Sequence, residues 1–358
     1  MTGSQLLRRA AALIVGMGVL VLLAEATLRV LPVMQGNYAA DARPEWPIRT
    51  LVPNRTFTYS NGWDLENIHH GRVNNFGYMA PFDYTPGSSG IVVIGDSYVE
   101  ALMNDYHDTL QGTLPRYLRS REPVMAFGTS GADMPHYLGA SYIVRQHFKP
   151  EWAVYVIGDG DFEGGFHADS GFYRWAPGRS PPIELVPEIK RSPLTKTLRT
   201  LALVRYIRGN LTLRISDLIG MNRAQPDEKT SACQPAALTA RDAELASGFI
   251  AALPRALELP PERIILVFDA DRRGIYAGRA ENAEPCPKHA TLIRKQLSTL
   301  AADRHMHVID SWPIFERYFR ETHRKLDFLP RDLHWNAAAH NLVAQEVARI
   351  VNGADATP

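Results

Sequence analysis

Cysteine is nearly absent from this sequence: Cys233 and Cys286 are the two in 358 residues. That excludes a disulfide-rich scaffold, and neither cysteine has a closely spaced partner of the kind a zinc site needs. Both lie in proline-containing, loop-like contexts, "ACQPA" and "EPCPK". Two readings stay open for them, a single disulfide in an oxidising compartment or two separate thiols. An excess of one charge is also missing, since 39 Lys and Arg face 38 Asp and Glu for a net charge of +1. The chain therefore has no electrostatic footprint for nucleic acid. Internal repeats and low-complexity tracts are lacking as well, which leaves an ordinary globular chain long enough for one large domain or two. Proline is plentiful at 25 residues, and its clustering in 31–53 and 176–193 predicts extended or loop-rich segments there.

One long apolar run exists, at the N-terminus: "LLRRAAALIVGMGVLVLLAEATLRVLPV". Arg8 and Arg9 precede fifteen uncharged residues, 10–24. These alone span about 22 Å of helix, short of a hydrocarbon core of roughly 30 Å. The apolar pattern resumes after Glu25, however, and Glu25 and Arg29 can pair at i, i+4 while the helix continues. The expectation is a single-pass anchor over residues 1–34 in the inner membrane, with a cytoplasmic N-terminus and the rest facing the periplasm or cell exterior. A cleaved signal peptide is the alternative, because Ala24-Glu25-Ala26 loosely fits a cleavage site.

Residues 35–85 read as an irregular stalk and lead-in. A regular alternation follows over 86–353. Short apolar runs at 90–95 ("GIVVIG"), 123–128, 152–158, 263–269 and 305–310 predict five strands. Helical patterns run from the first strand to about 119, and over 135–148, 284–303 and 336–352. The fold class expected is α/β, a three-layer α/β/α domain with a five-stranded, mainly parallel sheet. About 100 residues, 162–262, separate the third and fourth strands, far more than a crossover needs. They read as a mostly helical insertion capping the site, with helical stretches at 194–220 and 236–258.

In an open parallel sheet, ligands bind beyond the carboxyl ends of the strands. Those ends hold Gly95-Asp96-Ser97, Gly128-Thr129-Ser130-Gly131 and Gly158-Asp159-Gly160-Asp161, while "RDLHWNAAAH" near the C-terminus supplies Asp332 and His334. A serine needs a base within hydrogen-bond reach to act as a nucleophile, and histidine held by a carboxylate is the usual one. Ser97, His334 and Asp332 form such a set if the two segments meet. The amides of Ser97 and Gly131 are candidate oxyanion donors. Taken alone, Ser97 reads better as a helix N-cap; His334 and Asp332 together turn the reading to a nucleophile.

These blocks, in this order, resemble the SGNH hydrolases, also called GDSL esterases and lipases. "IGDSYVEA" is similar to the nucleophile block, "FGTSGAD" to the glycine block, and "YVIGDGDF" stands where the family has its Gly-x-Asn-Asp block. "DLHWNAAAH" resembles the compact Asp-x-His block of alginate-type polysaccharide O-acetyltransferases. The resemblance implies a flavodoxin-like SGNH fold and a serine-dependent acyl-ester hydrolase or O-acyltransferase working through an acyl-enzyme. Its implied substrate is an acetylated envelope or secreted polysaccharide, with no cofactor and no metal. Ser97, His334 and Asp332 would be catalytic, Ser97, Gly131 and Gly160 would line the oxyanion site, and Asp96, Asp161 and Asn336 are accessory candidates. One departure stands out: Gly160 replaces the asparagine that supplies a side-chain oxyanion donor. A non-catalytic carbohydrate-binding or assembly protein on a degenerate scaffold is the alternative that this glycine suggests. Three further features have two readings each. "NIHHG" (67–71) reads as a metal pair or as surface histidines. Tyr98, Phe162, Phe166, Tyr173, Trp175 and Trp335 either stack on sugars or pack locally. Arg272 and Arg273 either bind an anion or balance Asp269 and Asp271.

Overall fold

Why five short runs should form one sheet is evident from their composition: each is apolar on both faces, as a strand covered on both sides must be. In the computed structural model, which describes residues 3–120, 122–162, 169–188, 192–212, 237–279 and 289–354, they do so. The strands are β1 (Ser89–Gly95), β2 (Val124–Gly128), β3 (Lys149–Ile157), β4 (Ile264–Phe268) and β5 (His307–Asp310). Their order is β2-β1-β3-β4-β5 and every pairing is parallel. Cys233, Cys286 and Phe166 lie outside the described residues.

Alternate residues of each strand serve opposite faces. Val92, Ile94, Phe127, Tyr155 and Leu266 join one core with helices α3 (Met134–His147), α4 (Ala240–Leu257) and α5 (His289–Ala302). Ile91, Val93, Trp152, Val154 and Val267 join the other with α6 (Ser311–Thr322) and α7 (Ala337–Ala354). Each fully buried Val, Leu, Ile or Phe contributes roughly 1.5–3 kcal/mol, so the two-sided burial fixes the strand order firmly.

Three expectations are corrected. Residues 35–85 are not all stalk, since Trp46, Ile48, Tyr78 and Tyr84 are buried in the first of these cores. Their irregular spacing hid them, because they pack from loops and not from a periodic element. The long helix expected up to 119 is instead a series of single turns, α2 (Ser97–Glu100), Tyr106–Asp108, Leu110–Thr113 and Leu114–Arg116. Ala101 stops the first of them by taking the left-handed conformation (φ 48°). Nor is 162–262 one insertion: α4 packs its Leu245, Phe249, Ile250 and Leu253 onto the sheet as a crossover helix. Thr239 starts it with a capping box, bonding reciprocally with Asp242.

The described residues fall into two units. The larger is the α/β unit above. The smaller is drawn from residues 1–37, 57–70 and 190–225 and contains α1 (Gly3–Val30), a helix long and apolar enough to cross a membrane. It also holds Pro193–Leu198 and the helical turns that run from Ala202 to Asn210. In the same unit His70 Nδ1 lies 3.2 Å from the Thr58 hydroxyl, and His69 Nε2 lies 2.9 Å from Asn67 Oδ1, which accounts for both histidines locally.

Gly128 ends β2 where it meets the loop of β1. A Cβ there would overlap the backbone of Val99 and Glu100, which cannot yield as a flexible side chain can. Gly128→Ala is expected to cost about 1–3 kcal/mol or more, read as a lowered urea midpoint with an unchanged slope.

Candidate active site

The first strand runs into Gly95, whose missing side chain lets Val99 fold back over it. Asp96 then caps the following turn, its Oδ1 accepting from the Tyr98 amide at 2.9 Å. The cap is thus Asp96 and not Ser97, and the serine hydroxyl is left for another partner. Its nearest partner is His334, whose Nε2 lies 2.7 Å from Ser97 Oγ, with Asp96 Oδ2 farther off at 3.4 Å. Asp332 Oδ1 lies 2.5 Å from His334 Nδ1 and also accepts from the His334 amide at 2.9 Å. One carboxylate therefore fixes both the ring and the backbone that carries it. With the proton held at Nδ1, Nε2 is free to accept from the serine hydroxyl. A short strand, Asp332–Trp335, paired antiparallel with Asp327–Phe328, presents the histidine.

Burial works to lower the His334 pKa. The Asp332 hydrogen bond and charge, with the Asp96 charge, outweigh it and raise the value above that of an ordinary histidine. Asp96 is itself buried, and desolvation raises its carboxyl well above the usual range against the opposing Tyr98 amide and His334.

Beneath the histidine lies a buried polar network. Arg272, with a side chain 3% exposed, pairs with Asp269 and, at 3.1 Å through Nε, with Asp327. The same guanidinium donates to the Leu333 carbonyl and, at 2.9 Å, to the Tyr98 hydroxyl. Trp335 Nε1 donates to Asp269 at 2.7 Å and the Tyr276 hydroxyl donates to Asp327 at 3.0 Å. Leu333 stands between Asp332 and His334, and Tyr98 follows Ser97, so Arg272 acts on both halves of the site through their neighbours. Of the two readings for Arg272, the anion binder is set aside: its guanidinium is enclosed and ion-paired. Arg273 is exposed, and Asp271 caps the turn Arg272–Tyr276 by accepting from the Gly274 amide.

The strand order flanks β1 with β2 and β3, so the loops carrying Gly131 and Gly160 border the Ser97 loop on either side. Gly131 is exposed with φ +79°, a conformation that favours glycine. Gly160 is also exposed, and a Cβ there would meet no atom within 4 Å, so the position offers room but no side-chain donor. Asp159 is ion-paired with Arg294 at 2.5 Å. Asp161 points inward to accept from the Tyr137 hydroxyl at 2.7 Å and the Gly158 amide at 2.6 Å. Burial, with the charge of Asp96, raises the Asp161 pKa well above that of an ordinary carboxyl. Asn336 is corrected from accessory to scaffold: its Oδ1 caps α7 through the Ala338 and Ala339 amides and its Nδ2 donates to the Lys325 carbonyl. Phe162, Trp175 and Trp335 are buried and belong to the cores, so they do not stack on a ligand. Sequence reading missed Glu100, a buried carboxylate that accepts from the Ser130 hydroxyl and ties the first two strand-end loops together.

No protein-family model matches the chain, and no curated protein does. Solved structures that it is similar to include LAE5, an α/β hydrolase from the metagenome of Lake Arreo, Spain. That match has 16% identity over 75% of this chain and 97% of that one, with a TM-score of 0.40. Another is a member of the lipolytic G-D-S-L family from Veillonella parvula, with 10% identity, 73% and 97% coverage and a TM-score of 0.37. A third is Est24, a carbohydrate acetylesterase from Sinorhizobium meliloti, with 10% identity, 75% and 99% coverage and a TM-score of 0.39.

Two outcomes follow from the geometry. In Asp332→Asn the carboxylate that favours the imidazolium is gone, so the His334 pKa should fall, measured by titrating the ring nitrogens in NMR spectra of histidine-labelled protein. Arg272→Met leaves Asp269 and Asp327 buried without their cation and should cost about 3–5 kcal/mol in urea unfolding.

Proposed function

We propose that the chain is a serine esterase of the SGNH type that takes an acyl group from a carbohydrate ester through an acyl-enzyme. The carrying observation is the chain of contacts from Asp332 through His334 to Ser97, with 2.5 Å at one end and 2.7 Å at the other. In this reading Ser97 Oγ attacks the acyl carbonyl while His334 Nε2 takes its proton. The carbon–oxygen bond to the sugar then breaks and His334 returns the proton to the leaving oxygen. Water, or a sugar hydroxyl in a transferase, attacks the acyl-enzyme with His334 again as base. The developing oxyanion is received by the Ser97 and Gly131 amides. Glycine at 160 removes a donor of the kind worth about 10²–10³ in turnover, so a modest rate is expected. The flanking carboxylates offer little repulsion, since Asp159 is paired and Asp161 is directed inward. The acetylated polysaccharide as substrate rests on the resemblance of the "DLHWNAAAH" block.

The same reading keeps α1 as a membrane anchor. Cleavage after Ala26 would remove Glu25, whose carboxylate accepts from the amides of Ala202 and Leu203 at 3.0 and 2.9 Å. With Arg8 and Arg9 on the cytoplasmic side, the α/β unit faces the periplasm or exterior.

A binding protein on a degenerate scaffold is the second reading, and Gly160 is the observation that favours it. Two separate samples of full-length protein separate the two, one treated with a fluorophosphonate and one left untreated and assayed for acetate release from an acetylated xylo-oligosaccharide. The enzyme reading predicts labelling and acetate release that both disappear in Ser97→Ala, the rate falling about 10³-fold or more. Its pH profile should rise through a midpoint above that of an ordinary histidine, because only neutral His334 can act as base. Folded wild-type protein that neither labels nor releases acetate favours the binding reading.

A further inference from the structure

Outside α1, five of the eight exposed large apolar side chains among the described residues lie in the smaller unit, Leu31, Trp63, Ile68, Leu194 and Leu198; Phe82, Tyr117 and Leu333 lie in the larger. Leu194 and Trp63 are the most open, at 68% and 71% exposure. Isolated exposed leucines need no explanation, but these sit in a body that is built onto the end of an apolar helix.

The attachments are specific. Glu25, near the C-terminal end of α1, accepts from the Ala202 and Leu203 amides, and one face of that end, Ala24, Glu25 and Leu28, is partly covered. The Met34 amide donates to Asn210 Oδ1 at 3.1 Å, and buried Asn210 donates in turn to the Ser60 carbonyl at 3.0 Å. The Tyr206 hydroxyl donates to the carbonyl of Trp63 at 2.6 Å. The end of α1, the segment 193–210 and the loop that carries Trp63 are therefore fixed to one another.

Helix geometry then sets a depth. Counted from Arg9, about 20 helical residues fill a hydrocarbon core of roughly 30 Å, which puts Arg29 at its outer boundary and Glu25 one turn inside. Ala202 and Leu203, bonded to Glu25, share that depth. Leu194 and Leu198 lie only a few residues upstream, at i and i+4 on one face of Pro193–Leu198. The stretch 192–212 contains Lys196, Arg199, Arg205 and Arg208 and no acidic residue. Leucines on one face with basic residues around them are the chemistry of an element lying in the headgroup layer. Trp63, tied to this segment through the Tyr206 hydroxyl, adds a tryptophan, and it is followed by the acidic Asp64 and Glu66.

We propose that the smaller unit carries a second membrane contact, in which Leu194, Leu198 and Trp63 seat in the headgroup layer of an anionic phospholipid bilayer. The proposal rests on the anchor reading of α1. It means that α1 is not a bare tether: its outer end, with Glu25 satisfied by backbone amides, is held against an element that lies on the same bilayer. The occupant is the lipid surface, favoured over a protein partner by the depth fixed through Glu25 and by the all-basic charge of the stretch.

The test uses full-length protein reconstituted in vesicles of equal parts phosphatidylcholine and phosphatidylglycerol. Lipids bearing a doxyl quencher near the headgroup or near the bilayer centre are compared with acrylamide in the water. The Trp63 signal is the difference between wild type and Trp63→Phe, and Leu194→Trp reports the second position. Leu20→Trp, in the middle of α1, reports whether the anchor spans. The expected result is strong quenching of Leu20→Trp by the deep probe, with Trp63 and Leu194→Trp losing most of their signal to the shallow probe and little to acrylamide. If Leu20→Trp is quenched by the deep probe while Trp63 and Leu194→Trp respond only to acrylamide, the interfacial contact is wrong and the anchor stands. Shielding of Trp63 and Leu194→Trp from every quencher points to a protein partner or a second copy, and also overturns the proposal. If Leu20→Trp escapes the deep probe, the anchor reading fails and the contact with it.

Discussion

The Arg272 guanidinium is enclosed, with its side chain 3% exposed, and it must satisfy its donors on protein alone. It does so on Asp269 at the end of β4, Asp327 in the C-terminal hairpin, the Tyr98 hydroxyl after the serine and the Leu333 carbonyl beside the histidine. Three segments far apart in sequence are thereby held at one point. Each carboxylate in turn has a second donor, Trp335 for Asp269 and Tyr276 for Asp327, so the network is reinforced rather than merely paired. A buried charge of this kind adds little net stability over an apolar core, but breaking it is costly, which makes it a device for fixing geometry. What it fixes is the approach of the Asp332–Trp335 strand to the turn after β1.

Electrostatics around that turn are arranged on the same principle, with each carboxylate given a defined role or partner. Asp96 caps the helical turn, Asp332 holds the imidazole, Asp159 pairs with Arg294 and Asp161 is turned inward to Tyr137. In the proposed reaction this leaves charge to develop beside amides, while the room at Gly160 marks where a further donor is missing.

Much of the α/β unit was legible from the chain because its signals are local. A parallel strand buried on both faces must be an uninterrupted apolar run, and all five such runs became strands of one sheet. Asp332 and His334 were legible for the same reason: with one residue between them, a single extended segment brings the carboxylate to the ring. What could not be read is what depends on distance. The partners Arg272 and Asp327 are 55 residues apart, and Glu25 meets a backbone amide 177 residues away. Trp46, Tyr78 and Tyr84 pack from loops with no period to betray them, and so resembled a stalk. Ser97 alone reads as a helix cap, and only the Asp332 and His334 block made it a candidate nucleophile; in the structure Asp96 takes the cap and the Ser97 hydroxyl faces His334.

In the proposed reaction Ser97, activated by His334, accepts the acyl group. Rapid acid quenching of full-length protein mixed with an aryl acetate, followed by mass mapping of its peptides, examines that step itself. The expected result is an added acetyl group on the peptide bearing Ser97, formed in the first turnover and absent in His334→Ala. Turnover with the acetyl group on another residue, or with none on the protein, would contradict it.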